Sequence, residues 1–465
     1  MFLILKSFRS LYFATLLMLL GTGLLNTYLA LRVAETADGL WVGALMTANY
    51  LGLVLGGKVG HRLIARVGHI RAYAVCAGVI TAAVLGHGLS AWLPAWLLLR
   101  VLIGMCTMCQ YMVVESWLNE QASSSQRGQV FSGYMAASYL GLVLGQLVLV
   151  VSTELGPELL MLVALCFSLC LVPVALTRRL HPASLHSAPL EPRFFLARVP
   201  LSLITIAVAG LLIGSFYGLA PLYGTRMGLS TEQVGLFMGS CILAGMLVQW
   251  PLGWLSDRRD RVWLIGRGGV LLALAALPLA VLPEAPLWLL FTVGGLVCML
   301  QFSLYPLAVA LANDHVGGER RVALTAMLLL TFGVGASIGP LLAGVMMRFL
   351  GANMLYAFVC GCAVILAWRV QPWRVSHLHE VAGAPLHHVL MPDSTSSSPL
   401  AAALDPRVDE QMVQDQMVDE PTPAEEVAVE QTAEPEAAPE PAHEPQPAEP
   451  AHAGDGHDCR DAQKS

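Results

Sequence analysis

RGQVFSGYMAASYLGLVLGQ (Arg127–Gln146) and its later counterpart RVALTAMLLLTFGVGASIGP (Arg321–Pro340) decide how this chain is built. Each opens on an arginine. Fourteen residues later each reaches a Gly-x-x-x-Gly step, Gly141 to Gly145 before Gln146 and Gly335 to Gly339 before Pro340. Three further pairs lie at nearly the same offset. Gly104 with Gln110 matches Gly295 with Gln301, Val42-Gly43-x-x-Met46 matches Val234-Gly235-x-x-Met238, and Gly57 before His61-Arg62 matches Gly253 before Asp257-Arg258. Four matches in order at a near-constant offset point to a duplicated unit. Small residues at helical spacing let helix backbones approach closely, which is how helices associate where water drives nothing.

Composition names the solvent. Of 465 residues 56% are hydrophobic and only 12% charged, with mean hydropathy +0.65. Soluble domains carry about 25% charged residues, so the excess apolar surface faces lipid. The net charge of -6 hides two unlike regions. From Ser376 onward there are 19 acidic and 3 basic residues, whereas the preceding body has 13 acidic and 23 basic ones. Nine of the ten cysteines sit inside apolar runs with no accompanying histidine, where a cysteine is a small hydrophobe and no metal is expected.

Apolar runs of helix-spanning length recur at 11–31, 41–60, 72–91, 95–117, 129–152, 159–177, 201–223, 232–255, 262–282, 287–311, 322–347 and 353–370. The first follows Lys6 and Arg9 but lacks a good small-x-small site, so it reads as an uncleaved span. With the amino terminus inside, 19 loop lysines and arginines fall on the cytoplasmic side; Arg32, Arg226 and Arg348 fall outside. That bias is the one expected of an inner-membrane protein with both termini in the cytoplasm. The expected architecture is all-α: twelve transmembrane helices in two six-helix pseudo-symmetric bundles, 1–180 and 201–374. A cytoplasmic linker, 181–200, joins them, and a Pro/Glu/Ala-rich acidic tail, 375–465, is expected to be disordered.

Charged and polar residues inside such a chain need partners, because an uncompensated charge costs about 2.5–3.5 kcal/mol at the centre of a span. Arg100 and Glu115 share one helix but lie roughly 22 Å apart along it, at 1.5 Å per residue, so they cannot pair. Arg100 and Asn26 fall near one level, which predicts contact between them. It is read either as an interhelical strut or as part of an anion or proton site. Glu115 falls level with Arg62 and Arg66, which predicts a cytoplasmic gate pair; Asp314 would pair with Arg258 or Arg259. Gln110, Gln249, Gln301 and Tyr305 are mid-helix polar residues that either pack helices or line a solute path.

The segment Pro251-Leu-Gly-Trp-Leu-Ser-Asp257-Arg258-Arg259-Asp-Arg261 resembles the loop signature of the major facilitator superfamily. Its first-half counterpart carries His61 where that family's loop has an aspartate, and Arg100-x-x-x-Gly104 is similar to its helix-4 motif. Glu115-Ser-Trp117-Leu-Asn119-Glu120, Leu304-Tyr305-Pro306-Leu and Ala312-Asn313-Asp314 resemble the YcaD-type branch. The resemblance spans about residues 5–372 and implies a secondary transporter working by alternating access. It also implies a charge cluster of Asp257, Arg258 and Arg259 at the cytoplasmic face. The Gly-Pro pair that the family's antiporters carry in helix 5 stands here in helix 11, at Gly339-Pro340, which argues against antiport.

No phosphate-binding Gly-x-x-x-x-Gly-Lys-Ser/Thr occurs, so transport would draw on a gradient. Proton coupling stays open beside uniport and other ions, since the spans hold almost no deep carboxylate. The expected partners are a small solute, membrane lipid and protons, with no cofactor, metal or nucleic acid; the expected state is a monomer. No residue constellation points to an enzyme. The rival reading is a membrane sensor or scaffold acting through its acidic tail.

Overall fold

The computed structural model describes residues 2–122, 126–152, 154–176, 191–282, 284–317, 320–370, 386–389 and 395–405. Within them every regular element is helical. The first six runs form α1 (Phe2–Ala34), α2 (Gly39–Val67), α3 (His69–Leu89), α4 (Leu93–Gln121), α5 (Arg127–Val151) and the pair α6 (Pro157–Leu169) and α7 (Leu171–Ala175). After α8 (Pro192–Arg198) come α9 (Pro200–Arg226), the pair α10 (Thr231–Leu247) and α11 (Gln249–Ser256), α12 (Arg261–Val281), α13 (Leu287–Asn313), α14 (Arg321–Leu350) and α15 (Met354–Arg369). Eleven stretches are long and apolar enough to cross a membrane; α15, with 16 residues, is shorter. At 1.5 Å per residue it covers about 24 Å of a hydrocarbon layer roughly 30 Å thick.

The helices run past the limits that hydropathy sets. α2 continues through Gly57 and Arg66 to Val67, so most of the expected first loop is helix. It ends at Gly68, whose φ of +84° is left-handed backbone that glycine adopts without strain. The linker supplies one more helix: α8 buries Phe195, its Arg198 donates to the His315 carbonyl at 2.8 Å, and Arg320 stacks on Phe194 at 4.3 Å. Linker residues 181–190 and tail residues 375–385, 390–394 and 406–465 lie outside the described residues.

Contacts repeat between the set α1–α7 and the set α9–α15. α1 packs on α5 as α9 packs on α14; α2 packs on α4 as α10 packs on α13; α3 packs on α6 as α12 packs on α15. Between the two sets, α2 packs on α14 and α5 on α10. Glycine makes these approaches possible. A Cβ on Gly104 of α4 would strike the Asn49 carbonyl oxygen of α2, and one on Gly43 would strike the Pro340 carbonyl oxygen of α14. The α2–α14 seam also holds the Thr47 hydroxyl donating to Ser337 O at 2.7 Å and Arg348 paired with Asp38 at 3.1 Å. All of these seam contacts lie along the first half of α2. Outward from the bundle, Leu98, Leu274, Trp288 and Trp368 are exposed, as a lipid-facing surface requires.

Overpacking a close helix approach costs about 1–3 kcal/mol, and more when the neighbour is backbone. Gly104→Val should therefore destabilise the detergent-solubilised protein by at least about 2 kcal/mol in a denaturant titration. Gly78→Val, where an added Cβ meets nothing within 4 Å, should change it by less than about 0.5 kcal/mol. Equal effects at both positions would contradict the packing described.

Candidate functional site

Arg100 is 1% exposed. It projects from α4 between α1 and α2, and its Nη2 donates to Asn26 Oδ1 at 2.6 Å and to Met46 Sδ at 3.2 Å. The contact expected from helix rise is therefore present. No carboxylate pairs with Arg100 among the described residues, and its Nε has no hydrogen-bond partner there. The guanidinium instead borders a cavity shared with Thr22 and Asn26 of α1, Asn49 and Tyr50 of α2, Thr107 and Tyr111 of α4, and Tyr217 of α9. Thr395 closes it, with the Tyr111 hydroxyl donating to the Thr395 carbonyl at 2.8 Å. The room left for water centres is about 20 Å³, enough for roughly one water.

The other mid-helix residues do not join this cavity. Gln249 Nε2 donates to the Gly245 and Phe302 carbonyls at 3.1 and 3.3 Å, fastening α11 to α13. Gln110 and Gln301 point their amides at the sulfurs of Cys170 and Cys298, at 3.9 and 3.4 Å. Tyr305 stacks edge-on against Phe332, with centroids 5.3 Å apart. Each is buried among neighbouring helices. Gln146, read from sequence only as part of the repeat, ties α5 to α1 by accepting from Thr27 at 2.8 Å and donating to Gly23 O at 3.0 Å.

Both expected gate pairs are corrected. Arg62 and Arg66 are exposed and form no ion pair with Glu115. Glu115 is fully buried on the opposite face of the α2–α4 contact and takes neutral donors: Tyr134 Oη at 2.9 Å, Ser397 Oγ at 2.5 Å, Ser398 N at 3.0 Å and the Ser398 hydroxyl. Asp314 pairs with Arg261, not with Arg258 or Arg259. Arg261 opens α12 and faces α13, so its guanidinium reaches both Asp314 oxygens and the Ala310 carbonyl at 3.2 Å. Asp257 stands 3.5 Å from it. Arg258 turns outward to donate to Trp254 O at 3.3 Å and stack on that ring at 4.2 Å, and Arg259 is exposed. His61 is half-buried, and its Nε2 has no partner among the described residues.

A third correction concerns the tail. Residues 386–389 and 395–405, expected to be disordered, lie against the helices, with Pro399–Leu404 forming a short 3-10 helix whose Ala401 and Leu404 are buried. Leu386 N donates to Asp314 Oδ1 at 3.0 Å, and Arg261 Nη2 donates to the Leu386 carbonyl. One signal for it existed. The acidic tail holds two uncharged, partly apolar intervals, 381–392 and 394–404, and its described residues fall within them, apart from Asp405.

A multi-span helical chain with a buried cation in a polar cavity walled by early and late helices is a membrane transporter. Residues 11–305 match the Major Facilitator Superfamily, and the chain belongs to that family, in its YcaD-type branch. An uncharacterized MFS-type transporter of Enterobacter sp. (strain 638) is 31% identical over 357 residues, covering 75% of this chain and 91% of the relative. The uncharacterized MFS-type transporter YcaD of Escherichia coli (strain K12 / DH10B) is 31% identical over 355 residues, with the same coverage. Among solved structures, the nucleoside transporter NupG superposes with a TM-score of 0.69 at 15% identity, over 79% of this chain and 99% of that one. A D-xylose-proton symporter gives 0.65 at 14%, over 85% and 99%. At such identities the likeness is one of fold. The chain is a secondary transporter and not an enzyme.

Removing one partner of a buried ion pair leaves an uncompensated charge, which costs about 3–5 kcal/mol. Asp314→Asn should therefore destabilise the protein by roughly 3 kcal/mol, read by denaturant titration in detergent. Asp257→Asn, at a half-exposed carboxylate, should cost below about 1 kcal/mol. The reverse order would show that Asp257 is the principal partner of Arg261.

Proposed function

We propose that this transporter carries a small solute bearing an anionic group across the inner membrane, with Arg100 as the group that recognises the charge. The observation behind this reading is a fully buried guanidinium that borders a polar cavity and has no carboxylate partner among the described residues. A buried charge is retained at a cost of several kcal/mol unless it is paired. A neutral amide and a thioether offset only part of that cost for Arg100. An anionic solute arriving between α1, α2, α4 and α9 would supply the remainder.

The architecture we infer has twelve spans, α15 being the twelfth, in two six-helix bundles over 1–180 and 201–374 joined by the 181–200 linker. Both termini face the cytoplasm, as the distribution of lysine and arginine requires. On that orientation the α2–α14 seam lies at the outer face, and the form described opens inward. Rocking of the bundles about the cavity would alternate its access. The cytoplasmic gate is assigned to Glu115 on one bundle and to Arg261, Asp257 and Asp314 on the other, with Arg62, Arg66, Arg258 and Arg259 as an exposed basic rim beside His61. Glu115, the buried carboxylate of the spans among the described residues, is the group to which we assign a co-transported proton. The functional unit is a monomer in lipid.

Two assays separate this reading from its rivals. Small carboxylates and phosphate esters are screened by thermal shift on the purified chain beside neutral sugars and nucleosides, and hits are carried into proteoliposome counterflow. An anion at a hundred times its dissociation constant should stabilise the protein by about 2.7 kcal/mol. The effect should persist, weakened, in Arg100→Lys and vanish in Arg100→Gln. A neutral solute that stabilises wild type and Arg100→Gln equally would overturn the assignment.

A further inference from the structure

Glu115 is buried in a helix that crosses the membrane and has no cation beside it among the described residues. An ionised carboxylate accepts about four hydrogen bonds. Here one donor, Tyr134, comes from the helix bundle. The other three, the Ser397 hydroxyl, the Ser398 hydroxyl and the Ser398 amide, come from a chain segment nearly three hundred residues further on in sequence. The same phenol lies 2.9 Å from the Ser396 carbonyl. Such a fit of a buried acid to hydroxyl and amide donors is a built binding site, and its occupant is the chain's own tail.

A second anchor holds the same segment on the other half. Leu386 exchanges main-chain hydrogen bonds with Asp314 and Arg261, and His388 N donates to Asp257 Oδ1 at 2.7 Å. The His388 ring lies over Gly253, where a Cβ would come within 3.0 Å of its Cδ2. The glycine of the loop motif thus leaves room for the tail. Beyond both anchors, the Pro399–Leu404 turn packs on α4 and α5 and on α14. Thr395 reaches the floor of the Arg100 cavity.

We propose that the tail residues 386–389 and 395–405 form an autoinhibitory plug. The segment occupies the mouth opposite the α2–α14 seam, bridges the two halves through Glu115 and the Arg261–Asp314 pair, and so blocks the closure of that mouth on which alternating access depends. The proposal rests on the alternating-access reading above. Alternating access opens one end only as the other closes, so a peptide wedged at one end holds the seam shut at the other. Negative charge introduced at Ser397 and Ser398 would face the Glu115 carboxylate at hydrogen-bond distance and expel the segment. Phosphorylation of those serines in the released state would keep it out by the same repulsion.

The test needs no solute. Hydrogen exchange with mass spectrometry is run on the full-length protein in lipid nanodiscs for wild type, the double variant Ser397→Asp/Ser398→Asp, and Glu115→Gln. In wild type, amides of 395–404 should exchange at least a hundredfold more slowly than an unstructured peptide of the same sequence. The double variant should bring them to the peptide rate, Glu115→Gln should bring them part of the way, and exchange at 340–348 in the seam should rise at least threefold on release. Free exchange of 395–404 in wild type would overturn the proposal, as would a released segment with seam exchange unchanged. Because Arg100 enters neither measurement, failure here is distinct from failure of the anion assignment, which thermal shift reads.

Discussion

A hydrocarbon layer offers a charged side chain no partner, so each ion kept inside this protein must be answered by another part of the chain or by a ligand. Three of its buried ionic sites are answered in three different ways. Arg261 meets Asp314 directly, charge against charge. Glu115 is surrounded by hydroxyl and amide donors that carry no formal charge. Arg100 has an amide oxygen and a sulfur, the weakest set of the three. The order is informative. The charge-paired site ties α12 to α13, whereas Arg100, with the weakest set, borders a cavity.

The helix packing explains why those sites sit where they do. The seam between α2 and α14 is drawn tight by glycine against backbone at Gly43 and by the Asp38–Arg348 pair. α5 approaches α10 at the corresponding place, where a Cβ on Gly235 would come to 2.9 Å of the Gln146 carbonyl oxygen. Both contacts lie toward one end of the bundle. At the other end α4 and α13 carry Glu115 and Asp314, and the tail bonds to each, through Ser398 and Leu386. One closed end and one occupied end fit the proposed rocking mechanism stopped in a single state.

Much of this was legible in the sequence, and the limits were physical. Hydropathy and the lysine–arginine distribution located the helical runs because lipid forces backbone polarity into helices. Helix rise alone placed Arg100 at the level of Asn26. Rise gives depth but not azimuth, so Glu115 and Arg62, at one depth, were matched although they face different ways. The same limit chose Arg258 and Arg259 over Arg261, since a loop's turn decides which of several neighbouring arginines points inward. The glutamines stayed open between packing and path lining for a related reason: mid-helix polarity is satisfied as readily by a neighbouring sulfur or carbonyl as by a cavity. The tail was hidden by its composition. An acidic, proline-rich segment cannot build a core of its own, yet a short uncharged interval within it can borrow one.

That borrowed core bears on how the Arg100 cavity operates. Thr395 lines the cavity through its backbone, and its carbonyl is held by Tyr111, which extends from the same helix as Arg100. Tyr111, Glu115 and Arg100 therefore form a line along α4, and the segment contacts the first two while stopping short of the third. A carbonyl oxygen brings only a partial negative charge toward a guanidinium, so the segment narrows the cavity without neutralising Arg100. A solute with a full negative charge has more to gain at that position than the segment does. The segment's own hold comes from Glu115 and the Arg261–Asp314 pair, well away from Arg100, and so the proposed solute would compete with it for space while depending on a different residue. Recognition and restraint are thereby separable along a single helix.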